Sequence, residues 1–221
     1  VFFIIVYCLY LAMNHKWQNR MLLVASCVFY GAWDWRFLFL MFISITTDYF
    51  CALKIQESEE EKTRKRFLFL SIFINLAILG FFKYFNFFAA SLDNLFSYFS
   101  FSIHPHLLHI ILPVGISFYT FQALSYTIDV YRRELEPTRS FRDYALFVTY
   151  FPQLVAGPIM RAKDLLPQVF KARKLYLEQF YEGCYLIFWG LFQKIFIADN
   201  LAKIANPVFD SPGPYNAVKV L

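Results

Sequence analysis

The sequence predicts an all-α fold, a polytopic integral membrane helical bundle with one re-entrant segment. Three observations carry that expectation. Hydrophobic residues make up 59% of the chain, aromatic residues 22% and charged residues only 17%, a balance unlike that of domains solvated by water. Apolar runs recur at residues 1–13, 21–33, 37–53, 67–82, 107–131, 144–157 and 184–198, several of them near the roughly 20 residues that a helix needs to cross a bilayer. Placing alternate loops on one side gathers 16 of the 21 Lys and Arg residues there, which is the asymmetry of a cytoplasmic face.

The first run, 13 residues long, falls below the ~17 needed to span. It reads as the tail of a first helix and not as a signal peptide, because no basic segment precedes it and no small-residue cleavage site follows. In the third run, Asp48 stands beside Thr46 and Thr47, and two placements stay open: an intramembrane carboxylate that needs a partner, or one near the cytoplasmic end. "QESEEEKTRKR", residues 56–66, is a solvated cytoplasmic loop of mixed charge. Residues 83–106 are less apolar and rich in aromatic rings, fitting one helix near the outer interface. The "HPHLLH" stretch carries His104, His106 and His109. Three close imidazoles are metal-ligand material, but Pro105 and the lack of nearby Asp, Glu or Cys favour an interfacial loop, and no metal site is expected.

Pro113 and Gly115 predict a bend or a late helix start. From there Gly115, Tyr119, Gln122, Tyr126, Asp129 and Arg133 recur at steps of 4, 3, 4, 3 and 4, so they share one helical face. Two readings stay open. Polar groups in a membrane helix turn toward a cavity or the bundle interior, which makes this face a tunnel wall. Alternatively Tyr119, Gln122 and Tyr126 hydrogen-bond to neighbouring helices, with Asp129 and Arg133 at the cytoplasmic end.

"FPQLVAGPIMR", residues 151–161, then breaks an apolar run. The side assignment above works only if residues 143–157 enter and leave on the same face. Pro152 and Pro158 lack an N–H, and Gly157 tolerates close approach. The stretch therefore suits a turn buried against other helices, since an unpaired amide in lipid costs several kcal/mol. Farther on, "GLFQKIFIADNLAK", residues 190–203, sets Lys194, Asp199, Asn200 and Lys203 on an otherwise apolar helix, where Lys194 snorkels or pairs internally.

Several function classes drop out. The four cysteines fall singly within apolar runs with no C-x-x-C spacing, so they frame neither a metal site nor disulfides. The net charge of +5 follows from membrane topology, and no nucleic acid is expected as a partner. There is no Ser-His-Asp order, phosphate loop, dinucleotide glycine pattern or H-E-x-x-H. No internal repeat appears, which weighs against a transporter or export subunit built from inverted repeats. Residues 1–221 read as a single membrane domain, and a non-catalytic scaffold partnering a separately encoded half remains an alternative.

Motifs in fixed order go further. "NRMLLVASCVFYGAWDWRFLFL", "LGFFKYFNFF", "LPVGISFYTFQALSYTIDVYR", "AGPIMRAKDLLPQ" and "KIFIADNLA" together resemble the membrane-bound O-acyltransferase family, in its bacterial alginate O-acetylation (AlgI-like) branch, nearly end to end. The resemblance implies a multi-pass protein of the inner (plasma) membrane. Such an enzyme takes an acyl group from a cytoplasmic donor, such as an acetyl thioester, with no bound cofactor. It passes the group toward a cell-surface or exported polysaccharide, or to a periplasmic acetyl-transfer partner protein. The resemblance also implies that this chain corresponds to the amino-terminal portion of the family. The histidine segment on which catalysis depends there, resembling "LWHG", has no counterpart, and His15, His104, His106 and His109 match no family histidine motif. The chain alone is expected to be inactive and to hold no catalytic residue. What it would supply is tunnel wall: Tyr119, Gln122 and Tyr126 with Pro152, Gln153, Gly157, Pro158 and Arg161, the last near the cytoplasmic mouth.

Overall fold

The computed structural model describes residues 1–98, 111–155, 157–173 and 176–210, and among these the chain is helical with no strand. It divides into two compact units, Val1–Ala172 and Arg173–Leu221. The first holds α1 (Phe2–Ala12), α2 (His15–Asp34), α3 (Arg36–Glu57), α4 (Glu61–Tyr98), α5 (Ile116–Tyr131), α6 (Phe141–Thr149), α7 (Phe151–Leu154) and α8 (Ala162–Phe170). Their ends follow local chemistry. Asn14 caps α2, its side-chain oxygen accepting from Trp17 N at 3.2 Å, and Ser140 caps α6 by accepting from Asp143 N at 3.4 Å, as expected of these residue types. Between α2 and α3 the Asp34 carboxylate accepts from both the backbone N–H and the guanidinium of Arg36. The late start foreseen for α5 is present, with Gly115 in the left-handed region at φ 73°.

Among the described residues two helices are long and apolar enough to cross a membrane, α3 and the Glu61–Leu92 stretch of α4. Only 17% of the most apolar window of α4 is buried, and Phe69, Phe73 and Leu76 stand exposed along it. A helix that is apolar yet bare over most of its surface fits lipid as its solvent better than a water-solvated core. The separate helix expected from residue 83 is not formed. α4 runs unbroken to Tyr98, because no proline interrupts it and Gly80 is tolerated within a helix. The remainder of that expected segment, with His104, His106 and His109, lies outside the described residues.

α3, α4 and α5 pack on one another, and α6 is enclosed by α2, α3, α5 and α8. That enclosure leaves Tyr144, Ala145, Phe147 and Thr149 with no exposed surface. Aromatic rings carry much of the packing. The Tyr126 and Tyr144 centroids lie 4.4 Å apart, and Tyr49 meets Phe141 edge-on at 5.3 Å; each such pair contributes about 0.5–1.5 kcal/mol beyond its burial.

The second unit contains α9 (Leu177–Phe192) and α10 (Asp199–Phe209), joined without a break through a π-helical turn, Gln193–Ala198. A π turn bonds residues five apart, and Lys194 pairs with Asp199, five residues on. Of the two fates foreseen for Lys194, internal pairing is the one formed.

Candidate functional site

The site begins at the break between α6 and α7. Nine residues of helix reach about 14 Å, less than half of a ~30 Å hydrocarbon layer, so α6 stops at membrane depth if it starts near a surface. Its stop leaves backbone groups without helical partners among packed helices, where they need other partners. Side chains satisfy them instead. The Phe147 carbonyl accepts from Gln122 Nε2 at 2.7 Å and from Gln153 Nε2 at 3.3 Å. Phe151 N donates to Ser26 Oγ at 3.1 Å, while that hydroxyl donates to Leu22 O at 2.8 Å. Pro152 has no N–H to place, Gln153 N donates to Tyr150 O at 3.1 Å, and Gly157 N donates to Gln153 O at 3.2 Å. Ser26, Gln122 and Gln153 are all buried.

Ser26→Ala is therefore expected to strand the buried Phe151 N–H. The cost is about 1–2 kcal/mol, the penalty for a buried donor without an acceptor, read as a lowered unfolding midpoint of the full chain in detergent micelles. Ser26→Thr, which keeps the hydroxyl, should recover most of it.

Two glycines set the approach of the segments. A side chain on Gly115 would run into the Leu154 carbonyl, and its φ of 73° is itself a glycine conformation. At Gly157 a Cβ would lie 2.5 Å from Gln153 Cα, so only glycine lets the chain fold back over α7. The structure thus brings Gln122 of the α5 stripe together with Gln153 and Gly157 of the break, while Pro152, Val155 and Pro158 of the stretch expected to be buried stand exposed.

The other sequence-selected residues divide. Tyr126 is fully buried and its hydroxyl accepts from Thr138 N at 3.1 Å. Tyr119, 1% exposed, sets its hydroxyl beside that of Tyr30. On α5, Gln122 and Tyr126 therefore bond to neighbouring segments, while the Tyr119 hydroxyl is buried without a hydrogen-bond partner among the described residues. Asp129 is buried, and Arg133 adopts a left-handed φ of 61° just past the helix end. Pro152, Pro158 and Arg161 are exposed and Gly157 is half-buried. Val155 and Ile159 are exposed as well.

A second polar locus was only half legible. Asp48, fully buried on α3, accepts from Ser71 Oγ at 2.5 Å and through both oxygens from Asn75 Nδ2 at 2.9 Å. Ser44 Oγ in turn donates to Asn75 Oδ1. Sequence reasoning found the carboxylate and missed its partners on α4, although Ser71 and Asn75, four apart in an apolar run, share a helical face. Ser26 gave a fainter signal, a lone hydroxyl in the second apolar run. Among the described residues no group of three or more His, Cys, Asp or Glu is placed to hold a metal ion.

Known proteins place this geometry in a lineage. The chain is 43% identical over 209 residues to the protein of Pseudomonas putida named "Probable alginate O-acetylase AlgI", covering 93% of this chain and 42% of the relative. The protein of the same name in Pseudomonas aeruginosa is 42% identical, over 93% of this chain and 39% of its own length. A Helicobacter pylori protein named "Peptidoglycan O-acetyltransferase" is 35% identical over 225 residues, 90% of this chain and 42% of the relative. The chain thus spans about two-fifths of the length of the curated relatives it matches. No protein-family model and no solved structure matches it. Identity of this depth over nearly every residue, with the "FPQLVAGPIMR" break and the α5 stripe inside the matched region, is common descent: the chain belongs to the AlgI-like branch of the membrane-bound O-acyltransferase family.

Proposed function

We propose that this chain is part of a membrane-bound O-acetyltransferase that moves acetyl groups from a cytoplasmic donor to a polysaccharide outside the membrane. The observation that carries the reading is the 43% identity over 93% of the chain to an alginate O-acetylase. In this reading the chain forms one multi-pass domain in the inner membrane, and α6 and α7 form its re-entrant segment. The short α6 and the side-chain caps around Phe147 and Phe151 support that placement, because they solve the problem that a helix broken in lipid would create.

The tunnel wall then has two layers. Gln122 and Gln153 hold the break from behind through the Phe147 carbonyl, and Tyr119 and Tyr126 lie buried on the same α5 helix as Gln122. Pro152, Gly157, Pro158 and Arg161 present the surface along which an acyl donor such as an acetyl thioester passes, with the Arg161 cation at the cytoplasmic mouth. Rigid support for a working surface is what preorganised sites require. The base that activates the acceptor hydroxyl is assigned to no residue of this chain.

Deleting the encoding gene from its host and measuring ester-linked acetate on the exported polysaccharide and on peptidoglycan tests the proposal. Loss of acetyl ester from the polysaccharide, restored by the intact gene, is the expected result. Loss from peptidoglycan alone would move the acceptor to that of the Helicobacter relative, and no loss from either would overturn the activity. In the same assay Arg161→Gln is expected to cut acetylation at least about tenfold at unchanged protein level, as loss of a charge-assisted contact to the donor predicts.

A further inference from the structure

On the first unit, the start of α2, the start of α6 and the end of α8 enclose a cleft of about 390 Å³ whose lining includes His15, Lys16, Asn19, Arg20, Arg142 and Asp143. We propose that this cleft binds a phosphate group. The walls are tied together by side chains. His15 Nε2 donates to Phe170 O at 3.1 Å, and Asn19 Nδ2 donates to Val169 O at 2.9 Å and to Asp143 Oδ1 at 3.4 Å. Three helices far apart in sequence are thereby fixed around one volume.

The charges in it are unbalanced. Lys16, Arg20 and Arg142 form no ion pair among the described residues, and Arg20 rests over the Trp17 ring at 4.9 Å, a contact that holds the guanidinium without neutralising it. Asp143 is the single carboxylate in the lining, and it is already bonded to Asn19. Helix polarity sharpens the point. His15, Lys16 and Arg20 occupy the first turns of α2, which carries no acidic residue in its first turn, and Arg142 occupies the first turn of α6. A helix N-terminus is its positive end, where cations are disfavoured and anions are stabilised. Two such ends and three unpaired cations facing one cleft form an arrangement that a bound anion relieves.

Lys16, Arg20 and Arg142 are themselves exposed, but they line one cleft from two elements, which cations scattered over a membrane surface would not do. The arginine fork matches a phosphate in two parallel bonds, so phosphate is the anion chemistry that fits. It can come from a phospholipid headgroup or from a soluble phosphate ester, and the test separates the two.

The full chain would be placed in phosphatidylcholine nanodiscs at about 0.15 M salt, where loose surface attraction is screened beyond about 8 Å. Inorganic pyrophosphate is titrated by calorimetry, and retention of phosphatidylglycerol against phosphatidylcholine is read by native mass spectrometry. Binding of pyrophosphate identifies a soluble phosphate ester as the occupant, and selective retention of phosphatidylglycerol identifies a lipid; either supports the site. In the arm that binds, Arg20→Gln with Arg142→Gln should weaken the interaction at least about tenfold, while Lys62→Gln in the first turn of α4 leaves it unchanged. Asp143→Asn should tighten binding, a gain that misfolding cannot produce. Failure of both probes, or binding indifferent to the arginine pair and to Asp143→Asn, would overturn the proposal. Because the readout is binding, the result stands apart from whether acetyl transfer is found.

Discussion

Asn75→Ala is expected to lower the stability of the full chain by about 3 kcal/mol, measured as the shift in unfolding free energy in mixed micelles. Hydrogen bonds between neutral side chains across membrane helices average only about 0.6 kcal/mol, since the separated helices find other partners. Asn75 is worth more because of what it serves. It donates to both oxygens of Asp48, which has no exposed surface, and hydrogen bonds to charged groups contribute about 1.5–3 kcal/mol. Its loss also leaves Ser44 without the acceptor it now uses. Removing one partner of a buried charge costs far more than removing the charge and partner together, so adding Asp48→Leu to Asn75→Ala should recover more than half of the loss. A cost near 0.6 kcal/mol with no recovery would mean that Asp48 is held as a neutral acid and would sink the expectation.

The same pair of residues shows what the sequence could and could not disclose. Asp48 announced itself because a carboxylate in an apolar run is costly wherever it sits. Its partners were harder to see: Ser71 and Asn75 share a helical face, but only the packing of α3 on α4 reveals that this face meets Asp48. The break at "FPQLVAGP" was legible for a related reason: Pro152, Gly157 and Pro158 act on their own backbone, so their effect needs no neighbour to be inferred. Ser26, which closes the break from α2, lies 125 residues before the N–H that it accepts. The continuous run of α4 past residue 83 defeated a composition argument, since a shift in polarity along a helix changes its surroundings without ending it. Of the α5 stripe, Tyr119, Gln122, Tyr126 and Asp129 lie on the helix, whereas Gly115 and Arg133 stand outside it in left-handed conformations; whether the helical face borders a cavity or bonds to its neighbours depends on what lies opposite. The hydrogen bonds of Gln122 and Tyr126 decide that only in three dimensions.

Gly115→Ala should be nearly as damaging, at about 3 kcal/mol, through a wholly different cause. A left-handed conformation costs a residue with a Cβ roughly 1–2 kcal/mol, and at φ 73° Gly115 is in that region. The added methyl also meets the Leu154 carbonyl at a distance no packed structure keeps, and overpacking adds about 1–3 kcal/mol. The obstacle is backbone at the end of α7, so a rotamer change cannot relieve it; either α5 starts later or the break moves outward. Both responses carry Gln122 and Gln153 away from the Phe147 carbonyl. The substitution is therefore expected to lower acetyl transfer more steeply than stability alone accounts for, in the full-length protein assayed well below its unfolding midpoint. Gly80→Ala supplies the contrast. That glycine lies inside α4 with nothing within 4 Å of the added carbon, so the change should be neutral or stabilise by up to about 1 kcal/mol. Equal effects at the two positions would show that the close approach of α5 to α7 does not hold the break in place.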